Sequence, residues 1–249
     1  MQRFAFVTGT SRGIGQALAE QLLERGWTVV GAARSAAPAS LQHANYQHEC
    51  LDLADLGAVR STIERVLAGT DWTSYSAVAL VNNAGLVAPV GAPDQLNLEQ
   101  LDASLRVNLS VPMWIAGRFL AAVPQELPLR LVHLGSGAAT SPYSGWSAYC
   151  AGKAGLAMAA RCLAQDAEQM PHLAARDLRV LDYAPGVVAT EMQTTIRSVD
   201  EDHFPNRARF VELFESGALA APEGPGTELA DLLESAELPS YSARRFGQS

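Results

Sequence analysis

Tyr149 and Lys153, four residues apart in the run Tyr149-Cys150-Ala151-Gly152-Lys153, have the types and spacing for proton chemistry. The run lies early in an alanine-rich stretch read as a helix over 147–170, where positions i and i+4 share a face. Both polar tips can therefore enter one site. A tyrosine at its ordinary pKa of about 10 is a reluctant acid or base at neutral pH. A neighbouring ammonium favours the phenolate and lowers that pKa. Ser136 ends the preceding strand, thirteen positions before Tyr149. Its hydroxyl could donate to a carbonyl oxygen in the manner of an oxyanion hole. In isolation such a Tyr/Lys pair is more often a surface helix pair. The upstream serine and a glycine-rich turn near the chain start argue for a reactive site.

That turn is Thr8-Gly9-Thr10-Ser11-Arg12-Gly13-Ile14-Gly15, between a first strand and a first helix. In open α/β sheets this turn faces the ligand. Its glycines let backbone approach a pyrophosphate, and the helix N-terminus favours negative charge. Gly9, Ser11, Arg12, Gly13, Ile14 and Gly15 are the expected dinucleotide cradle. The spacing GxxxGxG differs from the GxGxxG form, and its position after a strand and before a helix makes it specific. An acid at the end of the second strand would accept from a ribose 2′-OH, but that stretch reads Gly31-Ala32-Ala33-Arg34. Arg34 and Arg12 could instead clamp a 2′-phosphate. The plainer alternative is two solvated arginines. The missing acid favours NADPH over NADH.

The elements that must position these groups alternate along the chain. Strands are read over 4–8, 28–33, 46–51, 77–81, 129–135 and 178–183. Helices are read over 14–25, 56–67, 98–123 and 147–170, the last two stopped by Pro124 and Pro171. This alternation predicts an α/β fold: a single-domain, Rossmann-type doubly wound parallel sheet in three αβα layers. From about residue 191 the pattern fades into Pro- and Gly-containing sequence, read as loops and short helices, with 191–225 a lid over substrate.

Bulk properties narrow the function classes. With 48% apolar residues among 249, one well-packed core is affordable by size. A net charge of −8 with scattered basic residues disfavours nucleic acid as a partner. Cys50, Cys150 and Cys162 form no CxxC pair and read as buried thiols in a reducing compartment. The start runs directly into strand-like sequence, and no uncharged apolar run reaches membrane-span length, so a cytoplasmic location without membrane attachment is expected. The five histidines show no HxH or HxxxH spacing, so no metal site is expected.

These residues together resemble the short-chain dehydrogenase/reductase family over nearly the whole chain. The matches are TGTSRGIG at 8–15, Asp52-Leu53, NNAG at 82–85, Asn108, Ser136, YCAGK at 149–153, and Pro185-Gly186 with Thr190. The resemblance implies that Asp52 and Leu53 hold adenine, and that Asn82, Ala84 and Gly85 line adenosine and ribose. It implies that Asn108 keeps a water relay to Lys153, and that Lys153 also binds the nicotinamide ribose. Val188 and Thr190, after Pro185-Gly186, would face the carboxamide. Plainer readings stand beside these: Asp52 as a helix cap, Asn82-Asn83 as a strand-end turn, Asn108 as a helix residue bonded to backbone.

A closer resemblance runs through 145–153, 180–186 and Thr190-Glu191-Met192-Gln193. It is to sepiapterin reductases and their bacterial relatives, including benzil reductases that form (S)-benzoin. It implies reduction of one carbonyl of a vicinal dicarbonyl or α-hydroxyketone, with Ser136, Trp146, Met192 and Gln193 around the substrate. Trp146 reads equally as a core or dimer-contact aromatic. Sepiapterin reductases carry a C-terminal Asp that anchors the pterin, whereas Arg245 stands near that place here. A cation there would repel a pterin amidine edge. Two other readings are dehydrogenation of a biosynthetic secondary alcohol and a non-catalytic NADP-binding sensor or scaffold. The family resemblance implies a homodimer or homotetramer through helices 98–123 and 147–170.

Overall fold

The computed structural model describes residues 1–248. Seven parallel strands form one sheet in the order β3-β2-β1-β4-β5-β6-β7: β1 Gln2–Thr8, β2 Thr28–Ala33, β3 Tyr46–Cys50, β4 Tyr75–Asn82, β5 Leu129–Leu134, β6 Leu178–Ala184 and β7 Tyr241–Arg245. The order reverses between β1 and β4, which opens a crevice at the carboxyl ends of those strands. Side chains alternate across the sheet and feed two cores. Phe4, Phe6, Val78, Leu80, Leu129 and Leu131 pack under α2 (Leu56–Gly69), α4 (Val111–Ala122) and α5 (Ser147–Gln169). Ala5, Val7, Ala79, Val81, Val132 and Leu181 pack under α1 (Gly13–Glu24) and α9 (Glu223–Glu234). The fold is a Rossmann-type three-layer αβα sandwich in one domain.

Helix 98–123 is not continuous. It divides into α3 (Leu98–Leu105), a π-helical turn at Arg106–Ser110, and α4. Pro112 has no N–H, so the Asn108 carbonyl lacks its i+4 donor, while Val111 N–H reaches back to the Arg106 carbonyl. The wider turn carries Asn108.

The tail is more ordered than its sequence pattern. A short α6 (Pro171–Ala174) follows α5, and two further helices, α7 (Glu191–Ser198) and α8 (Arg207–Glu215), follow β6. The 191–225 segment holds α7, α8 and the first residues of α9 (Glu223–Glu234), which buries Leu229, Ala230 and Leu233 against α1. The edge strand β7 reads Tyr-Ser-Ala-Arg-Arg and lacks an apolar run, as edge strands do when they avoid further pairing. The expectation of buried thiols is also corrected. Cys50 and Cys162 are exposed and Cys150 is half-buried. Cys50 ends the edge strand β3, and Cys162 lies on the outer face of α5. No helix among the described residues is long and apolar enough to cross a membrane.

Candidate active site

A cleft of about 460 Å³ opens over the carboxyl ends of the strands, within the usual range for a ligand site. One end is built by the glycine turn. Gly9 has φ +77°, a left-handed conformation that other residues rarely adopt. A Cβ on Gly15 would overlap the Gly9 carbonyl oxygen. The turn is braced from below by groups that sequence reasoning gave no role. Thr8 Oγ1 accepts from the backbone N–H of Asn83 and Ala84, each at 3.0 Å. Asn83 Nδ2 donates to the carbonyls of Thr8 at 2.8 Å and Gly9 at 3.2 Å. Those contacts exist only because β1 and β4 are neighbours, which local pattern does not reveal. Helix α1 has no acidic residue in its first turn and no side-chain cap, so its N-terminal N–H groups remain open to an anion.

Ser11, Arg12, Gly13, Ile14, Arg34, Asp52, Leu53, Ala84, Gly85, Pro185, Gly186, Val188 and Thr190 all line the cleft. Arg34 is exposed and has no ion-pair partner among the described residues. Arg12 pairs with Glu191 of α7 at 2.6 Å, both side chains being more than half exposed (54% and 56%). Asp52 accepts from Ala54 N–H at 2.9 Å, and the cap of α2 is Asp55 instead. Asn82 is not brought to the cleft. It is buried on the α5 side of the sheet, its Nδ2 3.2 Å from His133 Nδ1, because alternation turns it to the face opposite Val81. These features fit a dinucleotide: an open helix N-terminus, a turn whose glycines leave no room for side chains, and a free cation where an acid would have selected a 2′-hydroxyl.

The other end of the cleft holds the three residues expected to do the chemistry. Ser136, Tyr149 and Lys153 all line it. Ser136 follows β5 and accepts from Ala138 N–H at 3.1 Å. Tyr149 is buried, and burial pushes its phenol up while the nearby Ser136 hydroxyl works the other way. Lys153 Nζ donates to the Leu134 carbonyl at 2.7 Å and lies 5.9 Å from the centre of the Tyr149 ring. Burial lowers its pKa to about 8, with the Asp182 charge opposing that shift. Glycine at 152 lets α5 approach the π-helical turn, since a Cβ there would sit 3.0 Å from Asn108 Cβ. The Asn108 side chain is fully engaged: Oδ1 accepts from Leu86 N–H, and Nδ2 donates to the Leu86 carbonyl and Ser104 Oγ. Asn108 is itself buried, and Val107 rather than Asn108 lines the cleft; Pro112 deprives the Asn108 backbone carbonyl of the usual i+4 donor.

Of the expected substrate residues, Met192 and Gln193 line the cleft and Trp146 does not. Trp146 stacks on Phe204 (4.6 Å, 12°) and meets the Tyr149 ring edge-on (5.5 Å, 76°). It is the core aromatic of the two readings and backs the phenol from behind. Phe204 and Phe210, which complete this cluster, come from the 191–225 segment and carried no sequence signal. Leu86, Val87 and Ala88 add an apolar wall. Arg245 ends β7, is exposed, and lies outside the cleft lining.

Comparison with known proteins agrees with this geometry. The family model described as "short chain dehydrogenase" matches residues 3–201. A benzil reductase ((S)-benzoin forming) of Bacillus cereus is 33% identical, covering 99% of this chain and 100% of that protein. The benzil reductase of Bacillus subtilis (strain 168) is 35% identical over 92% of each chain. A sepiapterin reductase of Xenopus tropicalis is 28% identical, covering 92% of this chain and 90% of its own. Among solved structures, the KRED1-Pglu enzyme superposes with a TM-score of 0.79 at 31% identity, covering 97% of this chain and all of that one. By this match and by the fold that carries it, the chain belongs to the short-chain dehydrogenase family of oxidoreductases.

Proposed function

We propose that the protein is an NADPH-dependent ketone reductase that reduces one carbonyl of a vicinal dicarbonyl or α-hydroxyketone. The observation that carries the reading is the convergence of Ser136, Tyr149 and Lys153 at one end of a cleft whose other end is a glycine turn on an open helix N-terminus. The names of its relatives, benzil reductase and sepiapterin reductase, supply the substrate class.

Bound NADPH supplies the hydride. Arg34, with Arg12 released from Glu191, holds the 2′-phosphate, and the glycine turn holds the pyrophosphate. Asp52 and Leu53 border the adenine, while Ala84, Gly85, Val188 and Thr190 flank the remaining cofactor. Lys153 holds the nicotinamide ribose. Ser136 Oγ donates to the substrate oxygen, and Tyr149 gives it a proton as the carbonyl carbon becomes tetrahedral. Lys153 then returns a proton toward Tyr149, and a water on the Asn108 carbonyl connects the ammonium to solvent. Met192 and Gln193 close the substrate side, on helix α7 of the proposed lid. The apolar wall of Leu86, Val87 and Ala88 favours a neutral, flat ketone over a charged one. A homodimer or homotetramer through α4 and α5 belongs to the same reading and is checked by light scattering.

The test is NADPH oxidation with benzil, a small aliphatic diketone and sepiapterin in parallel. Benzil turnover without sepiapterin turnover supports the diketone substrate. Efficient sepiapterin reduction would instead make the protein a pterin reductase that needs no C-terminal carboxylate.

A further inference from the structure

A row of polar side chains crosses the sheet beneath Lys153. Asn82 pairs in register with His133, and His133 with Asp182, so all three leave the same face of the sheet, toward α5. Lys153 is almost fully buried, at 3% exposure, and the Leu134 carbonyl is its one hydrogen-bond acceptor among the described residues. A buried ammonium so thinly solvated needs opposite charge close by. Of the titratable groups that face it, Tyr149 on α5 and His133 on β5 carry no negative charge at neutral pH, leaving Asp182 on β6. The Asp182 carboxylate makes no hydrogen bond or ion pair of its own within the described residues. It leans across the neighbouring strand into the space above Gly135, where a Cβ would overlap its Oδ1. Gly135 lies between Leu134, whose carbonyl holds Lys153, and Ser136, so the carboxylate is seated against the segment that carries both groups.

We propose that Asp182 is a positioning residue for the reduction: its carboxylate, seated over Gly135, is the counter-charge that keeps the Lys153 ammonium protonated while Tyr149 donates. The proposal rests on the reading of Tyr149 as proton donor. The charge balance around the pair agrees with it. Burial lowers Lys153 and Asp182 pulls it back up, while burial raises Asp182 and Lys153 pulls it down. His133, pushed down to about 4 by burial and by Lys153, is neutral and adds no competing charge. The other groups facing Asp182 are the Tyr241 phenol on β7 and, beyond it, Arg161 on α5.

The experiment is the pH dependence of kcat/KM for benzil reduction by NADPH, from about pH 6 to about pH 10, in the wild-type protein, Asp182→Asn and Asp182→Glu. Reduction needs the ammonium, so the rate falls as pH rises through the Lys153 pKa. Removing the counter-charge lowers that pKa. The alkaline limb of Asp182→Asn should therefore move down by about one pH unit, and Asp182→Glu should return it toward wild type. A limb that stays in place in folded Asp182→Asn overturns the proposal, because a role confined to packing leaves the ionisation unchanged. If Asp182→Asn does not fold, Gly135→Ala decides the matter. Its methyl displaces the carboxylate without removing the charge, and the limb should shift the same way by a smaller amount; an unmoved limb there also overturns the idea. Tyr149→Phe separates the layers. Retained turnover in that variant sinks the proton-donor reading itself, whereas a dead Tyr149→Phe with an unmoved Asp182→Asn limb sinks only the role given to Asp182.

Discussion

Replacing Arg34 by alanine should weaken NADPH binding strongly and leave NADH almost untouched. Arg34 is exposed at the end of β2, lines the cleft, and has no ion-pair partner among the described residues, so no existing contact has to break before it can meet a phosphate. A charge-assisted hydrogen bond of this kind contributes about 1.5–3 kcal/mol, which corresponds to roughly a 10- to 150-fold change in Kd. Arg12 is the weaker half of the clamp because Glu191 already holds it. That pair is more than half exposed, and such pairs contribute only about 0–1 kcal/mol, so the phosphate can displace Glu191 at small cost. Removing Arg34 therefore leaves a clamp that still works but is shorter by one guanidinium. The assay is quenching of protein fluorescence by NADPH and by NADH in wild type and Arg34→Ala, at low and high salt. The NADPH Kd should rise roughly 10- to 150-fold, the NADH Kd should change less than about twofold, and high salt should shrink the difference between cofactors. Equal losses for both cofactors would refute the reasoning, since the side chain would then be supporting the loop and not reading the phosphate.

Tyr149→Phe keeps the ring that packs against Trp146 and removes the proton, so turnover should fall by roughly 10²- to 10⁴-fold while NADPH still binds; wild-type rates would remove Tyr149 from the chemistry. Glu191→Gln frees Arg12 and should tighten NADPH by up to about fivefold with NADH unchanged, read in the same fluorescence titration. His133 bears on stability. Its folded pKa lies near 4 against an ordinary 6.5, so the unfolded chain binds the proton more readily. Its contribution is therefore fully present above pH 6.5 and is lost as pH falls toward 4, by about 3 kcal/mol in all. Urea unfolding at stepped pH should show that loss in the wild type and a shallower one in His133→Asn. Parallel curves would mean that His133 does not control the acid limb.

What the sequence revealed and what it concealed follow from how far each signal reaches. Strands β1, β2, β4, β5 and β6 and most of the helices between them are apolar runs and amphipathic repeats, legible within a window of about a dozen residues, whereas the polar edge strand β3 (Tyr-Gln-His-Glu-Cys) is not an apolar run. The glycine turn and the Tyr149/Lys153 pair are equally local, so their placement at one cleft followed from the fold class. The strand β7 is an edge strand with two arginines and no apolar run, and only its pairing with β6 makes it a strand. Thr8 and Asn83 are unremarkable in sequence and brace the turn across more than seventy residues. Trp146 is ambiguous in sequence because an indole before a helix suits a pocket wall and a core equally well. Its stacking partner, Phe204, belongs to a segment whose position no periodicity specifies.

The break at Asn108 is a case in which the signal was present and unused. A helix pattern over 98–123 contains Pro112 fifteen residues in, and an interior proline leaves the carbonyl four residues earlier without a donor. That carbonyl is Asn108, so the proline, the wider turn and the site residue are one feature. The asparagine side chain closes the argument. By binding both the N–H and the carbonyl of Leu86, it fixes the π-helical turn to the loop after β4. Asparagine suits this position because its amide can donate and accept at once, as the Leu86 peptide groups require. Asp in its place would accept from one and repel the other. The Asn108 side chain is thus spent on holding the turn, so the relay proposed for this residue is left to its backbone.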